Sequence, residues 1–220
     1  MYTGGTIGAV EVRQLPRGRH RLTREEVMAS QRGRMLDAIA QAVAEKGYAR
    51  TSVADVISRA GVSRETFYQQ FADKEDCFLA AFELSVEVMQ QTMADALLGQ
   101  PADPLARYDR AMRAYLDLLA REGALARVFL VDVYAAGPGA LKRRRDVQAR
   151  FVDFIASIFN AETPADRFAC EALVAATSSM VTVRVAAGEL DELPGLRAPL
   201  VALARRLRIT PAARLRRPSA

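Results

Sequence analysis

The stretch of sequence that decides the fold runs from Thr51 to Lys74 and reads TSVADVISRAGVSRETFYQQFADK. Ser52 can cap a first helix, and Asp55, three residues later, completes a pattern like that of a capping box. Gly61 then provides a turn residue that adopts a positive φ without steric cost. These signals predict a short helix that ends in a tight turn.

A second helix is predicted to follow this turn, from its cap at Ser63 to Phe71. Phe67 and Phe71 lie one helical turn apart, so they bury one side of the helix and leave its polar residues exposed. Asp73 caps a third helix, which Lys74 opens. Two helices joined through a glycine-containing turn, the second with a polar outer side, are typical of a helix-turn-helix that reads DNA.

The segment resembles the DNA-binding domain of the tetracycline-repressor (TetR) family of bacterial transcriptional regulators. The predicted helix Arg32–Lys46 stands where that family has its first helix. Two positions depart from the family's frequent residues, since Ile57 stands where Ala is common and Gln70 where His is common. The specific resemblance covers roughly residues 30–80. The residues that carry it are Ala60, Gly61, Val62, Ser63, Thr66, Phe67, Tyr68, Phe71 and Lys74.

Polar side chains on and around the second helix are the candidates for DNA contact. Arg bonds guanine and Gln bonds adenine in the major groove, so we expect Arg64 and Gln69 to read bases. In the resembling family, residues that match Tyr68 and Lys74 commonly hold the DNA backbone. Two alternatives stay open: the Tyr68 ring packs on the first helix, and Glu65 is a solvated residue or a partner of Arg64. The predicted DNA-binding set is Ser52, Ser63, Arg64, Thr66, Tyr68, Gln69 and Lys74, in which the hydroxyls and the ammonium group suit phosphates.

The composition indicates an ordinary globular chain. Of its 220 residues, 50% are hydrophobic and 26% are charged, and the net charge is +5, so the chain is not of the disordered class. Arginines crowd the first 34 residues and positions 205–217. The segment Arg13–Arg24 is expected either to follow the minor groove or to be a solvated tail. His20, the only histidine, cannot complete a catalytic or metal site alone.

The remaining chemistry-bearing residues indicate a cytoplasmic protein that is not an enzyme. Cys77 and Cys170 match no metal or redox spacing, so we expect buried thiols, with redox sensing as the alternative. Residues 1–10 lack the features of a signal peptide, and no apolar run reaches about 18 residues. The sequence offers no Ser/His/Asp or Cys/His set, no glycine-rich phosphate loop and no metal cluster. We therefore expect no cofactor and no membrane association.

Helical periodicity without a convincing strand predicts an all-α chain. The expected organisation is a flexible basic arm (1–21), a three-helix helix-turn-helix DNA-binding domain (22–80), a helical effector-binding and dimerisation domain (81–208) and a basic tail (209–220). The expected helices beyond the DNA-binding unit are a long one over 73–98, one that opens at Asp103 and ends near Gly123, one over 125–134, one around 147–158, one over 163–188 and one over 196–207.

Apolar stripes on the last two helices predict a dimer interface. The stripe of the helix over 163–188 has small Ala and Ser neighbours that permit close approach of a second helix. The stripe of the helix over 196–207 has the spacing of a helix-pairing seam. In the resembling family, the corresponding helices join the same pair of a second subunit. The alternative is that both stripes face their own domain's core. The predicted dimerisation residues are Phe168, Leu173, Met180, Leu196, Leu200 and Leu203.

Aromatic and methionine side chains of the downstream half could enclose an apolar cavity with a few hydroxyls. The resemblance implies that this half binds a small effector, which separates two DNA-reading heads. The alternative is plain core packing. The predicted effector-binding residues are Tyr108, Met112, Tyr115, Phe129, Tyr134, Phe151, Phe154 and Met180. The expected function is that of a homodimeric repressor, bound to a palindromic operator and released by an apolar or amphipathic molecule. A ligand-independent regulator or architectural protein is the alternative.

Overall fold

A computed structural model describes residues 23–99, 103–207 and 209 of the chain. Within these residues the regular structure is entirely helical, which confirms the all-α prediction. The α-helices are α1 (Arg24–Lys46), α2 (Val53–Ala60), α3 (Arg64–Gln70), α4 (Lys74–Asp95), α5 (Pro104–Arg121), α6 (Gly123–Leu130), α7 (Pro138–Phe159), α8 (Pro164–Ala187) and α9 (Arg197–Leu207). Short 3-10 helices lie at Tyr48–Arg50, Asp132–Ala135 and Leu190–Leu196. The predicted arm 1–21 and residues 210–220 of the predicted tail lie outside the described residues.

The helix-turn-helix forms where the capping residues predict it. Ser52 and Asp55 satisfy each other's backbone N–H groups at the start of α2, as a capping box does. Gly61 ends α2 with φ 62° and ψ 43°, a left-handed conformation that only a residue without a Cβ adopts at no steric cost. The Ser63 hydroxyl accepts a hydrogen bond from the N–H of Thr66 at 3.0 Å and so starts α3.

Several helix boundaries differ from the predicted ones. The first helix was expected from Arg32, but α1 begins at Arg24, because Thr23 and Glu26 form a reciprocal capping box. This Thr-x-x-Glu pattern was present in the sequence. The predicted stop at Gly123 is wrong: α5 ends at Arg121, and Gly123 begins α6.

The last helical segment is also divided differently. A 3-10 helix containing Pro194 occupies Leu190–Leu196, and α9 begins only at Arg197. Pro194 has no N–H to donate, so it cannot take part in a continuous α-helical ladder at this point. The expectation of one helix from Leu196 onward therefore gave the right end but missed the preceding turn.

Contacts divide the chain into two compact units. The first unit comprises the described residues up to Val88 together with Glu122–Ala140, and the second comprises Met89–Arg121 and the described residues from Leu141 onward. In the first unit, α1 packs against both α2 and α6. The rings of Phe82 and Phe129 stack there with centroids 5.7 Å apart. The functional boundary expected at residue 80 stays a prediction.

The second unit is built around α5. This helix packs against α9 and against the 3-10 helix before it. Arg197 of α9 donates two hydrogen bonds to the carboxylate of Asp109, at 2.7 and 2.6 Å. This paired geometry fixes the two planar groups in one orientation, and the hydrogen bonds from Arg197 hold the pKa of Asp109 below its ordinary value.

The helix α8 has an apolar surface that the second unit does not cover. Phe168 is 72% exposed and Val183 is 64% exposed. By length and composition, α8 is the one helix in the described part of the chain that could cross a membrane. That is a weak indication, because an apolar helix of a soluble protein meets the same criterion.

Candidate nucleic-acid interface

The inner side of α3 is anchored by two aromatic rings. Phe67 is fully buried and Phe71 is 2% exposed, and their centroids lie 5.6 Å apart. The Tyr68 and Phe67 rings form an edge-to-face pair with their centroids 5.3 Å apart. Because the buried rings fix the rotation of this short helix about its axis, they also fix which side chains face outward.

The outer side of α3 presents most of the predicted DNA-binding residues together. Ser63, Arg64, Tyr68 and Gln69 are exposed, and Thr66 is partly buried beside the Ser63 hydroxyl. Tyr68 is 47% exposed. This exposure argues against the alternative in which its ring packs on the first helix. A short helix with exposed hydroxyl, amide and guanidinium groups can offer hydrogen bonds to both phosphates and base edges.

Side chains one turn apart on α3 are paired with each other. The guanidinium of Arg64 lies 5.5 Å from the centre of the Tyr68 ring, and its Nη2 is 3.5 Å from the Tyr68 hydroxyl. The amide of Gln69 donates a hydrogen bond to the Glu65 carboxylate at 3.3 Å. The expected alternative partner of Glu65 was Arg64, whereas the structure pairs it with Gln69. Both pairs pre-orient side chains that are expected to meet bases.

Lys74 lies at the start of α4 and is held by Tyr48. Its Nζ donates a hydrogen bond to the backbone carbonyl of Tyr48 at 3.0 Å. The same ammonium group lies 4.1 Å from the centre of the Tyr48 ring, a cation–π contact. Ammonium groups carry three donors, so this arrangement positions the charge and leaves donors for a phosphate.

Ser52 is already engaged at the start of α2. Its hydroxyl is 2.6 Å from a carboxylate oxygen of Asp55, and Lys46 forms an ion pair with that carboxylate at 2.7 Å. The hydrogen bond from Lys46 and those from Ser52 lower the pKa of Asp55 well below its usual range. Ser52 remains exposed, so its hydroxyl is at the surface although it serves first as a cap.

Three residues that support α3 were not predicted. Arg34 of α1 donates a hydrogen bond to the carbonyl of Ala60 at 2.8 Å, next to the turn. Arg32 lies over the Phe71 ring at 4.5 Å, and Gln70 donates to the carbonyl of Met28 at 3.1 Å. These contacts join residues far apart in sequence, so no local pattern reports them. The only sequence feature that pointed to these supporting contacts was the cluster of arginines before the apolar positions of α1.

The predicted effector residues of the second unit are largely interior. Tyr108, Met112, Tyr115 and Phe151 are at most 9% exposed, Phe154 is partly buried, and Met180 is 40% exposed. The Tyr108 ring contacts Phe159 at 5.4 Å, and the Tyr115 ring contacts Phe151 at 6.3 Å. Burial raises the pKa of Tyr108 to about 12, and burial also raises the pKa of Tyr115. Both hydroxyls therefore stay protonated at neutral pH.

Two predicted effector residues belong to the first unit. Phe129 is 2% exposed in α6, and Tyr134 is 55% exposed in the 3-10 helix Asp132–Ala135. The exposure of Tyr134 argues against its serving as an interior lining residue.

Half of the predicted dimerisation residues lie inside the protomer. Leu173, Leu196 and Leu200 are 1%, 6% and 1% exposed, because α8, α9 and the 3-10 helix between them pack on one another. This corrects the expectation that they form a surface stripe. Phe168 and Met180 are exposed, and Leu203 is partly buried.

The two cysteines are buried, and neither forms a disulfide. Burial raises the pKa of the Cys77 thiol to about 12 and raises that of Cys170 as well. A protonated thiol is a poor nucleophile, so both behave as small core residues. Among residues 23–99, 103–207 and 209, no group of three or more His, Cys, Asp and Glu side chains could hold a metal ion.

Comparison with known sequences finds similarity to transcriptional regulators. Residues 35–81 match the family model described as bacterial regulatory proteins, tetR family. The HTH-type transcriptional activator FasR of Mycolicibacterium smegmatis is 27% identical over 119 residues, which are 54% of this chain and 52% of FasR. The chain spans about half the length of the curated relatives it matches.

Comparison with solved structures extends the likeness to most of the chain. A TetR-like transcriptional regulator from Rhodococcus sp. RHA1 has a TM-score of 0.63 and 25% identity, over 84% of this chain and 97% of that one. The transcriptional regulator FadR from Bacillus subtilis, solved in complex with stearoyl-CoA, has a TM-score of 0.66 and 19% identity, over 78% and 96% of the two chains. The second likeness is one of fold alone.

Proposed function

We propose that the chain, whose residues 35–81 match the family model of bacterial regulatory proteins, tetR family, is a homodimeric repressor that binds a palindromic operator and is released by a small effector. The observation that carries this proposal is the anchored helix α3, with Phe67 and Phe71 inward and Arg64, Tyr68 and Gln69 outward. Such a helix enters the major groove, and a two-fold dimer places two copies on two half-sites. The place of action is the bacterial cytoplasm, where the DNA is.

The proposal is tested by selecting DNA from the protein's own genome and measuring binding to the recovered sites. We expect an inverted repeat, a stoichiometry of two chains per site, and an affinity that falls steeply with salt, because several cationic contacts per subunit release counterions. A reporter placed behind the site distinguishes repression from activation. Tight binding by a monomer, or selected sites without two-fold symmetry, would contradict the dimeric mode.

Substitutions on α3 and α4 are expected to divide into two classes. Tyr68→Ala and Lys74→Ala should weaken binding to operator and random DNA alike, because phosphates carry no base identity. Arg64→Ala and Gln69→Ala should cost ~1–3 kcal/mol on the operator and much less on random DNA. Fluorescence anisotropy with both DNAs, at two or more salt concentrations, measures the four variants.

The matched control for this series is Arg59→Ala, an exposed arginine of α2 that is paired with Glu45. We expect it to change binding little on either DNA. Equal losses by all four variants on both DNAs would contradict the division into phosphate and base contacts.

We further propose that an apolar or amphipathic molecule binds the second unit. The support is an interior with aromatic rings and two protonated hydroxyls, those of Tyr108 and Tyr115. Such a lining suits an apolar ligand with a few oriented polar groups. FadR of Bacillus subtilis, which binds stearoyl-CoA, shares the fold, so long-chain acyl-CoA esters are the first probes to test. The alternative is a regulator that needs no ligand.

Effector and operator are expected to weaken each other's binding by the same factor. An effector that favours the released geometry by ~3 kcal/mol lowers operator affinity more than a hundredfold. Phe151→Ala and Tyr115→Phe should reduce this release while operator affinity without effector stays nearly unchanged. Anisotropy titrations with acyl-CoA esters of several chain lengths, with and without operator, check both sides.

Tyr134→Phe serves as the matched control for Tyr115→Phe, because it removes the same hydroxyl from an exposed position. We expect it to respond to effector as the unaltered protein does. If no member of a broad amphipathic panel stabilises the protein or releases DNA, the ligand-independent alternative takes the place of the sensor.

The surface of α8 is the proposed dimer face. One side of this helix has exposed positions that recur at helical spacing and carry small or apolar side chains, namely Phe168, Ala172, Ala175, Ser179, Val183 and Ala186. Small residues permit close approach of two helices, and burial of the larger side chains removes apolar surface from water. This face replaces the buried leucines as the expected contact. Leu173, Leu196 and Leu200 support it from within the unit.

A further inference from the structure

The first turns of α1 lie before the segment that is similar to known regulators, and they reach the carboxyl end of α3. Family similarity covers residues 35–81, so residues 24–34 of α1 precede it. Met35 is fully buried, and Arg32 and Met28 stand about one and two helical turns before it. The side of α1 that faces the core therefore continues through these residues.

Two adjacent residues at the end of α3, Gln70 and Phe71, receive three contacts from this part of α1. The side-chain amide of Gln70 donates a hydrogen bond to the backbone carbonyl of Met28 at 3.1 Å. In the opposite direction, Nη1 of Arg32 donates to the backbone carbonyl of Gln70 at 3.4 Å. The Arg32 guanidinium also lies 4.5 Å from the centre of the Phe71 ring. We call Met28, Arg32, Gln70 and Phe71 the α1 clamp.

The contacts of the α1 clamp suit the end of a helix. The last carbonyls of a helix have no partner within it, and its dipole favours a cation nearby. Arg32 provides both a donor and a positive charge, and the Phe71 ring offers a face for the same guanidinium. A backbone carbonyl has two lone pairs, so that of Met28 can accept the Gln70 amide as well as a bond within α1. The end of α3 is thus bound to α1 through both its backbone and its side chains.

The short helix α3 depends on such contacts for its orientation. It has seven residues, too few to form a stable helix without tertiary packing. Phe67 and Phe71 hold its inner side. Gln70 is partly buried, whereas its neighbour Gln69 is exposed. Because Gln70 is held against α1, the direction in which Gln69 leaves the helix is fixed as well.

We propose that Gln70 and Arg32 are positioning residues for base reading, which hold the last turn of α3 in the orientation that directs Gln69 at the DNA bases. Residues 24–34 thereby contribute to operator specificity without touching a base. For its effect on DNA the inference rests on the proposed function, since it takes Gln69 as a base-reading residue. The immobilisation of α3 in the free protein does not depend on that assignment.

The immobilisation of α3 is tested by amide hydrogen exchange of the full-length protein without DNA. Gln70→Met nearly keeps the length and helix propensity of the side chain and removes its amide. The N–H groups of Phe67 and Phe71 donate to the carbonyls of Ser63 and Phe67, at 3.1 and 2.9 Å. Gln70→Met should lower the protection factors of both N–H groups about three- to tenfold, which corresponds to one hydrogen bond of ordinary net strength.

Arg32→Lys tests the same clamp from the side of α1. It keeps the positive charge but loses the planar group that lies over Phe71, so it should lower the same two protection factors. Gln69→Met is the matched control, because the Gln69 amide is bonded within α3, to Glu65. It should change protection by less than about twofold. Unchanged protection in Gln70→Met overturns the proposal, and unchanged protection in Arg32→Lys removes Arg32 from it.

The consequence for base reading is tested by anisotropy with the selected operator and with random DNA. Gln70→Met should weaken operator binding about three- to tenfold and binding to random DNA less than about twofold, since the phosphate contacts remain. The salt dependence should not change, because no cation is removed. An equal loss on both DNAs overturns the positioning role. A loss on the operator without a loss of protection at Phe67 and Phe71 also overturns it, because that result indicates a direct contact of Gln70 with DNA.

Gln69→Met also separates this inference from the proposed function. If it leaves the preference for operator over random DNA unchanged, base reading by Gln69 is wrong, and so is the effect of the α1 clamp on specificity. The exchange experiment then still decides whether the clamp immobilises α3. If Gln69→Met removes the preference and Gln70→Met leaves it intact, base reading stands and the inference fails.

Discussion

Replacing Ala175 and Val183 together by Glu is expected to convert the proposed dimer to monomers and to weaken operator binding strongly. Both positions are exposed on the same side of α8, and a two-fold interface would bury the new carboxylates of both subunits, where desolvation and like charge oppose association. A monomer contacts only one half-site and loses the added affinity that two linked DNA-binding domains provide. Operator affinity should therefore fall roughly a hundredfold or more. Sedimentation and anisotropy measure the two effects.

Ala149→Glu is the matched control, because it places the same side chain at an exposed position of α7. It should remain dimeric and bind the operator normally. A double variant that sediments as a dimer would show that α8 is not the contact face. A monomer with full operator affinity would contradict the need for two half-sites.

Truncation of Phe67 to Ala is expected to cost about 3–5 kcal/mol of unfolding free energy, the usual range for a fully buried phenylalanine. Phe67 is 0% exposed and meets both Phe71 and Tyr68. Its loss should detach α3 from the first unit and remove operator binding. Urea unfolding at fixed protein concentration measures the change, since the stability of a dimer depends on concentration.

Gln69→Ala, on the exposed side of the same helix, provides the comparison for stability. It should change the unfolding free energy by no more than about 0.5 kcal/mol, even though it is expected to weaken operator binding. Phe67→Leu should be intermediate, because a smaller cavity remains. A Phe67→Ala variant as stable as Gln69→Ala would contradict the anchoring role of the ring.

Local signals predicted most of the helical layout. Ser52, Gly61 and Ser63 determine their helix ends through bonds to residues within a few positions, so the sequence reports them directly. Thr23 and Glu26 carry the same kind of signal, and the early start of α1 could have been predicted from them. Gly123 shows the limit of this reasoning, since a glycine at a break between two helices can end one or begin the next.

The parts that escaped prediction depend on contacts between distant residues. Leu196 and Leu200 have the spacing of a helix-pairing seam, and Leu173 belongs to an apolar stripe of α8. Tertiary packing nevertheless decides which side of a helix is covered, and it buries all three. The support of α3 by Arg32 and Arg34, and the hydrogen bond from Lys74 to Tyr48, likewise join segments that are far apart along the chain. The DNA-facing side chains themselves were identifiable, because one short helix carries most of them.

The inclusion of Glu122–Ala140 in the first unit has a consequence for recombining such proteins. The stacking of Phe129 on Phe82 and the contact of α6 with α1 make this segment part of the core beneath the DNA-reading helices. A chimera that joins residues up to Val88 to the rest of another regulator would therefore lack its own Glu122–Ala140 segment. Its first unit would be built from core residues of two different proteins. A transferable head has to be a discontinuous module, exchanged as two pieces of chain in the same operation.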